Sequence, residues 1–469
     1  LEEGPSFVLP DARDLVNQPD TSQLIRQNFI TSRIIPSRLK FRLDYLTNRF
    51  DNSLLFGGLD NFTGRQFLNL DEGQTRFTPP NTGLLIKDDV KDLFEDYEFE
   101  GGMRLPTNFR GSEFFLTFMD KKHRWDRYYS IYRGDWSNIF ELNNNVLNGP
   151  PNLIPPGLGA PGSPSQYKVR MQTTLGQVQL RYPLDIFRSI RLRGTLRNDR
   201  YFWHALEQST LAFPAVNEQR LGLRAEYVFD NTLPVAPNIL NGMRYNIFTE
   251  AVKGFQIQAD PFTFDLNQGW MGIAGVDFRY YLPVLKHSVF AVRFNGVTSF
   301  GQERILFYLG GVDNWLLPQF NEDIPVAGGN YGFQTLAANL RGFQYNIRNG
   351  SSFVLANMEL RVPFVKYLFP RTKSSFFRNL QLTGFFDTGT AWEGVSPYSD
   401  DNPLNIIYIE NPPAVQVKLK YFRDPLVAGY GIGARTLVFG YLLKVDYAWG
   451  IETRQVQDPI LYLSLGADF

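Results

Sequence analysis

The chain has no cysteine, which removes disulfide frameworks, thiolate metal sites and cysteine nucleophiles together. Its three histidines, at 123, 204 and 287, show neither an H-E-x-x-H nor any paired spacing, so no metal site and no cofactor is expected. Neither charge is in excess. Lys plus Arg number 47 and Asp plus Glu number 47, which argues against a broad basic surface for nucleic acid. No apolar run approaches the ~18 residues of a membrane-crossing helix. Leu1-Glu2-Glu3-Gly4-Pro5 lacks the basic region and apolar core of a signal peptide and carries no initiator Met. The expectation is therefore the C-terminal piece of something longer. No nucleophile–base pair can be argued, so no enzymatic activity is expected.

What is present is aromatic and polar at once. Phe (41), Tyr (23) and Trp (7) make up 15% of 469 residues, yet mean hydropathy is slightly negative at -0.24. Transmembrane strands reconcile the two, because they need only ~9–11 residues and alternate in polarity.

Alternation is the dominant pattern. Leu39, Phe41, Leu43 and Tyr45 oppose Lys40, Arg42 and Asp44. Ile190, Leu192, Gly194 and Leu196 oppose Arg191, Arg193, Thr195 and Arg197. Leu443, Val445, Tyr447 and Trp449 oppose Lys444, Asp446, Ala448 and Gly450. The last segment sets Leu461, Leu463, Leu465, Ala467 and Phe469 against Tyr462, Ser464, Gly466 and Asp468. Period two with one polar face is the strand pattern.

Sixteen such segments occur: roughly 39–46, 84–91, 97–105, 113–119, 125–133, 167–182, 190–200, 219–229, 243–255, 270–281, 289–300, 351–362, 379–389, 427–437, 440–451 and 459–469. Connections alternate between long (47–83, 134–166, 301–350, 390–426) and mostly short, with 230–242 and 363–378 of moderate length. Long loops at one end and short turns at the other suit an outer-membrane barrel. A soluble β-sandwich or propeller is the alternative, but no fixed 20–50-residue repeat supports a propeller. The expected fold is all-β: a closed, sixteen-strand antiparallel transmembrane barrel over 38–469. Residues 1–37 read as a linker, with one or two helical turns at Thr21–Phe29. Leu192, Val445 and Leu463 are expected to face lipid, as is Phe469 at the end of the last strand. Substitution by Arg is expected to cost far less at the lumen-facing Asp446 than at Val445.

Gly157-Leu158-Gly159-Ala160-Pro161-Gly162 matches G-x-G-x-x-G, but it sits among prolines in the loop-like stretch Asn148–Ser165, with no strand before it or helix after it. Gly429-Tyr430-Gly431-Ile432-Gly433 reads as strand glycines. One constellation remains. Leu340-Arg341-Gly342-Phe343 lies in the 301–350 connection between the eleventh and twelfth segments, downstream of Phe307-Tyr308-Leu309-Gly310-Gly311. Glu359 and Asp387, the latter in Phe385-Phe386-Asp387-Thr388-Gly389, fall on lumen-facing positions of neighbouring strands. Two carboxylates side by side repel, and a guanidinium fork can bond both. From chemistry alone two readings stand: Arg341 reaches inward to both, or it is an exposed loop arginine above ordinary pore-lining charges.

These residues resemble a family. Leu340-Arg341-Gly342-Phe343 looks like the V-R-G-F/Y motif in the sixth loop of the BamA/TamA superfamily, the bacterial surface antigen barrels. Phe386-Asp387-x-Gly389 is similar to the family's thirteenth-strand motif, Glu359 to its twelfth-strand glutamate, and Phe307–Gly311 to the F-x-L-G-G before the loop motif. Asp230-Asn231…Pro237…Gly242 is similar to its fourth turn, and Leu461, Leu463, Leu465 and Phe469 to its terminal assembly signal. Departures are Leu340 at the head of the motif and the lack of periplasmic repeats in these residues. Leu84–Phe118 also looks similar to Bacteroidota proteins in which a periplasmic propeller precedes such a barrel.

The resemblance implies an outer-membrane barrel with its termini in the periplasm. It implies insertion or translocation of proteins or other cargo through a weak seam between first and last strands. The long sixth loop, 301–350, would fold into the lumen, with Arg341 on Glu359, Asp387 or both, bracing the wall beside that seam. Implied partners are outer-membrane lipid, client polypeptides and accessory subunits. A passive pore or surface-ligand barrel is the alternative, because loops 47–83, 134–166 and 390–426 are long enough to bind or plug.

Overall fold

Alternating sequence becomes alternating burial along a single meander of strands. The computed structural model describes residues 40–51, 83–107, 111–141, 166–204, 215–259, 262–266, 269–325, 330–337, 339–400, 402–411, 415–420, 423–438, 440–466 and 468–469. The 1–37 linker, the turns at 21–29 and the Gly157–Gly162 motif lie outside them.

Sixteen strands form the wall: β1 Phe41–Asp51, β2 Gly83–Asp92, β3 Tyr97–Pro106, β4 Gly111–Asp120, β5 Asp126–Glu141, β6 Gln166–Pro183, β7 Arg188–His204, β8 Val216–Asp230, β9 Ile239–Ala259, β10 Trp270–Leu285, β11 Ser288–Gly301, β12 Ser352–Val362, β13 Gln381–Trp392, β14 Val427–Val438, β15 Tyr441–Glu452 and β16 Ile460–Leu465. Each pairs antiparallel with the next. Among the described residues no ladder joins β1 to β16, so closure through such a ladder is not observed. β16 is short: Gly466 adopts φ +111, which turns the chain out of the strand four residues earlier than alternation implies.

The outward face is apolar and bare. Ile131, Leu223, Ile432 and Leu461 are each 62–64% exposed, and Leu192 and Leu463 share this face. Val445 also points outward, between the buried Lys444 and Asp446. A belt of this size has no counterpart on soluble monomers and matches a hydrocarbon surround.

The inward face carries charge, and on the β9–β16 side it is dry. Asp446 is 2% exposed and accepts two hydrogen bonds from the fully buried Arg435, at 2.7 and 3.1 Å. This corrects the expectation that substitution by Arg costs far less here than at Val445. The lumen here is filled, so a charge cannot turn to water when its partner is lost.

The turn 231–238 folds under the barrel. Gly242 adopts φ +103, and the Met243 N–H donates to Asn231 Oδ1 at 2.7 Å. The side-chain amide of Asn238 donates to Asp468 Oδ2 at 2.9 Å, and Gln381 Nε2 to the Pro237 carbonyl at 2.7 Å. Two short helices, Phe364–Leu368 and Ser375–Arg378, lie in the β12–β13 connection at the same end.

Two faces of β15 should respond to different physics. Val445→Arg places a cation in the apolar belt and is expected to cost about 2–4 kcal/mol near mid-membrane. Asp446→Ala leaves Arg435 buried beside one fewer carboxylate and is expected to cost about 3–5 kcal/mol. Urea unfolding in vesicles, followed by heat-modifiable mobility, measures both. A negligible effect at Asp446 would mean a wet lumen.

Candidate functional site

The sixth connection enters the lumen because it carries its own small sheet. Arg304–Leu309 pairs in parallel with Tyr331–Leu336 and antiparallel with Arg348–Gly350. Ile305, Phe307 and Leu309 alternate onto one face and pack against Ile273 of β10, Phe353 and Leu355 of β12 and Val427 of β14. The far end is held by Arg348, which bonds Glu452 at 2.8 Å and the carbonyl of Asp424 at 2.7 Å. Gly310 and Gly311, at φ +125 and +67, then turn the chain toward the loop motif. The Gly311 N–H donates to the Phe343 carbonyl at 3.0 Å, and the Leu340 N–H to the Gly311 carbonyl at 3.1 Å.

This delivers Arg341 to the wall. Its Nε and Nη2 donate to Asp387 Oδ2 and Oδ1 at 2.6 and 2.8 Å, and Nη1 to Glu359 Oε1 at 2.5 Å. The backbone N–H of Arg341 adds a bond to Asp387 at 3.2 Å. Below the guanidinium, the Phe385 ring lies 3.6 Å from Cζ, a cation–π contact in a dry site. Asn357 donates to Asp387 Oδ1 at 2.8 Å. Arg361 bonds the other oxygen of Glu359 at 2.8 Å, and Arg435 bonds Asp468 at 2.8 Å. With Lys444 beside Asp468 at 3.5 Å and Arg435 on Asp446, four cations meet four carboxylates without interruption. The fork is spent on its acceptors, which suits bracing rather than proton transfer.

Glycine makes the approach possible. Gly342 sits at φ +95, and a Cβ there would lie 2.6 Å from Gly450 N and 2.7 Å from the Trp449 carbonyl. A Cβ on Gly429 would run into the Arg341 carbonyl, and one on Gly450 would meet the Phe343 ring at 2.5 Å. The strand glycines of β14 and β15 are therefore a track for the loop. Tyr462 of β16 completes the seat: the Gly342 N–H donates to its hydroxyl at 2.9 Å, and that hydroxyl donates to the Phe343 carbonyl at 2.7 Å.

The loop also reaches the edge of β16 that faces away from β15. Trp315 forms an antiparallel bridge with Ser464, and the Leu316 N–H donates to the Leu463 carbonyl at 2.9 Å. Trp315 is wedged against Tyr345 and Tyr462, with ring centroids at 5.4 and 4.8 Å.

Leu340, Arg341, Gly342, Phe343, Glu359 and Asp387 thus converge. Phe386 points outward, and Gly389 is packed against the backbone of Val354 on β12. Leu461 and Leu463 face outward on β16, and Leu465 is partly buried at its end. Phe469 corrects the expectation of a lipid-facing residue. It turns into the lumen among Ile239, Tyr281, Val289 and Ala291, and its oxygen accepts a bond from Arg361 at 3.1 Å. Sequence reasoning missed Phe385, Asn357, Arg361, Arg435, Asp468, Tyr462 and Trp315. The alternating inward charges of β12–β16 were the available signal for the arginines; Trp315 offered none.

No protein-family model and no curated protein matches the chain. Among solved structures, the fold is similar to BamA from Haemophilus ducreyi lacking POTRA domains 1-3, at 12% identity and TM-score 0.45, covering 92% of this chain and 71% of that one. It is similar to CdiB from Acinetobacter baumannii at 12% identity and TM-score 0.43, covering 91% of this chain and 65% of that one. It is similar also to CdiB from Escherichia coli at 11% identity and TM-score 0.44, covering 92% and 68%.

Arg341→Ala leaves two buried carboxylates without their shared cation, so loop docking should weaken by about 3–5 kcal/mol. Arg341→Lys should restore only part of it, because an ammonium cannot present a fork. Hydrogen exchange across 301–350 reads both variants. Unchanged protection in Arg341→Ala would show that the loop core alone holds the loop.

Proposed function

We propose that the chain is an outer-membrane barrel of the BamA/TamA superfamily that inserts or translocates polypeptides, or other cargo, through the seam between β1 and β16. The observation that carries this reading is the loop motif itself: Arg341 is clamped to β12 and β13, and the adjoining Gly342 and Phe343 bond Tyr462 of β16, the strand that borders the seam. β16 is six residues long, the loop lies on its outer edge at Leu463 and Ser464, and a strand edge uncovered there is a template for an incoming extended chain. A clamp that anchors the loop at Arg341 while its Trp315–Leu316 stretch is withdrawn from the edge to admit a client gives the geometry a purpose. Client polypeptides, accessory subunits and outer-membrane lipid are the partners of this reading, with the termini on the periplasmic side. A passive pore is the competing reading, and the packed loop core on the β9–β14 side of the lumen weighs against it.

The test uses photo-crosslinking residues placed singly at Leu43 of β1, Leu463 of β16 and Leu223 of β8 in cells. Capture of unfolded outer-membrane polypeptides at the first two and not the third is expected. Single-channel records of the purified chain should be small and flickering. A large steady conductance without seam capture would leave the pore reading in place.

A further inference from the structure

The connection between β12 and β13 is built unlike the rest of the chain. From Leu360 to Phe386 there is no Asp or Glu, in a protein whose 47 basic residues are matched by 47 acidic ones. Residues 363–380 contain Lys366, Arg371, Lys373 and Arg378. Among the described residues none of these four lies within ion-pair distance of a carboxylate. Between them stand Tyr367, Leu368, Phe369, Phe376 and Phe377, all exposed, with Leu368 and Phe369 at 65%.

The segment is fixed to the outside of the wall. Thr436 of β14 shares its face with Tyr430 and Ile432, which point away from the lumen, and its hydroxyl donates to the Phe376 carbonyl at 2.8 Å. At the other flank, the Tyr367 hydroxyl accepts from the His287 N–H at 3.0 Å and lies 3.0 Å from Ser288 Oγ. There the patch continues into the exposed Val284 and Leu285 with Lys286. Burial, then Lys366 and Lys286 beside it, lowers the His287 imidazole from its ordinary value.

We propose that residues 363–380 form an interfacial anchor for anionic phospholipid at the turn end of the barrel. Rings and aliphatic side chains on the outer wall enter the acyl boundary, and the four unpaired cations beside them take phosphate headgroups. Apolar side chains interleaved with cations and free of acids are the composition of a surface-seated lipid element. A polar protein partner would leave the exposed leucine and phenylalanines without cover next to the hydrocarbon.

The experiment reconstitutes the full chain into phosphatidylcholine vesicles with or without phosphatidylglycerol. Since the chain has no cysteine, Phe369→Cys carries a single environment-sensitive fluorophore. A blue shift is expected, larger with phosphatidylglycerol. Native mass spectrometry of the unlabelled chain should show preferential retention of phosphatidylglycerol. The K366Q/R371Q/K373Q/R378Q variant should lose that preference by about tenfold or more while keeping heat-modifiable mobility. A variant exchanging Lys and Arg at the same positions should retain it. Equal retention by wild type and the glutamine variant would overturn the proposal. So would unchanged lipid preference with loss of a co-purifying protein, which would assign the patch to a protein partner.

Discussion

One guanidinium shared by two carboxylates, in a part of the lumen that water does not fill, sets the position of the sixth loop. Glu359 and Asp387 come from adjacent strands, and neither can be hydrated where it lies. An isolated buried charge is prohibitive, and a buried pair is tolerable only when lone pairs and protons are all met. Arg341 meets both acids at once, and Asn357 and Arg361 take acceptor positions that it leaves. The cluster then runs through Arg361, Asp468, Arg435 and Asp446, so each charge screens the next. Such an arrangement adds less to stability than to uniqueness, because a displaced loop would leave several groups unmet.

The wall was legible in the sequence because lipid outside and polar groups inside impose period two on every strand. Misjudged strand ends follow from the same cause. β5 runs to Glu141 and β9 begins at Ile239, where the strands extend beyond the alternating stretch. Phe469 shows the limit of the pattern: alternation cannot separate an apolar pocket inside the barrel from lipid outside it. Asp446 shows another, since an inward charge reads the same whether it faces water or Arg435.

The site was half legible. Charge chemistry placed Glu359 and Asp387 on one face of neighbouring strands, but whether Arg341, 18 and 46 positions away, would reach them was undecided. Motif resemblance, not periodicity, pointed to that pairing. The glycines at 429 and 450 looked like ordinary strand glycines because nothing local reveals what passes over them. Tyr462 and Trp315 are aromatics in an aromatic-rich chain, and their roles exist only once β16 and the loop are side by side.

The rung between Leu316 and Leu463 has a consequence for the life of the molecule before it is fully assembled. A bare strand edge recruits other bare edges, and proteins usually blunt theirs with permanent devices such as proline, lysine or a bulge. Here the guard on β16 is a piece of the same chain, held by one backbone bond and a wedged tryptophan. It therefore exists only after the loop has docked. Two half-built copies that met would find each other's last strands open at Leu463 and Ser464, whereas two finished ones would not. Protection against edge-to-edge association is thus acquired late and, unlike a proline, can be withdrawn.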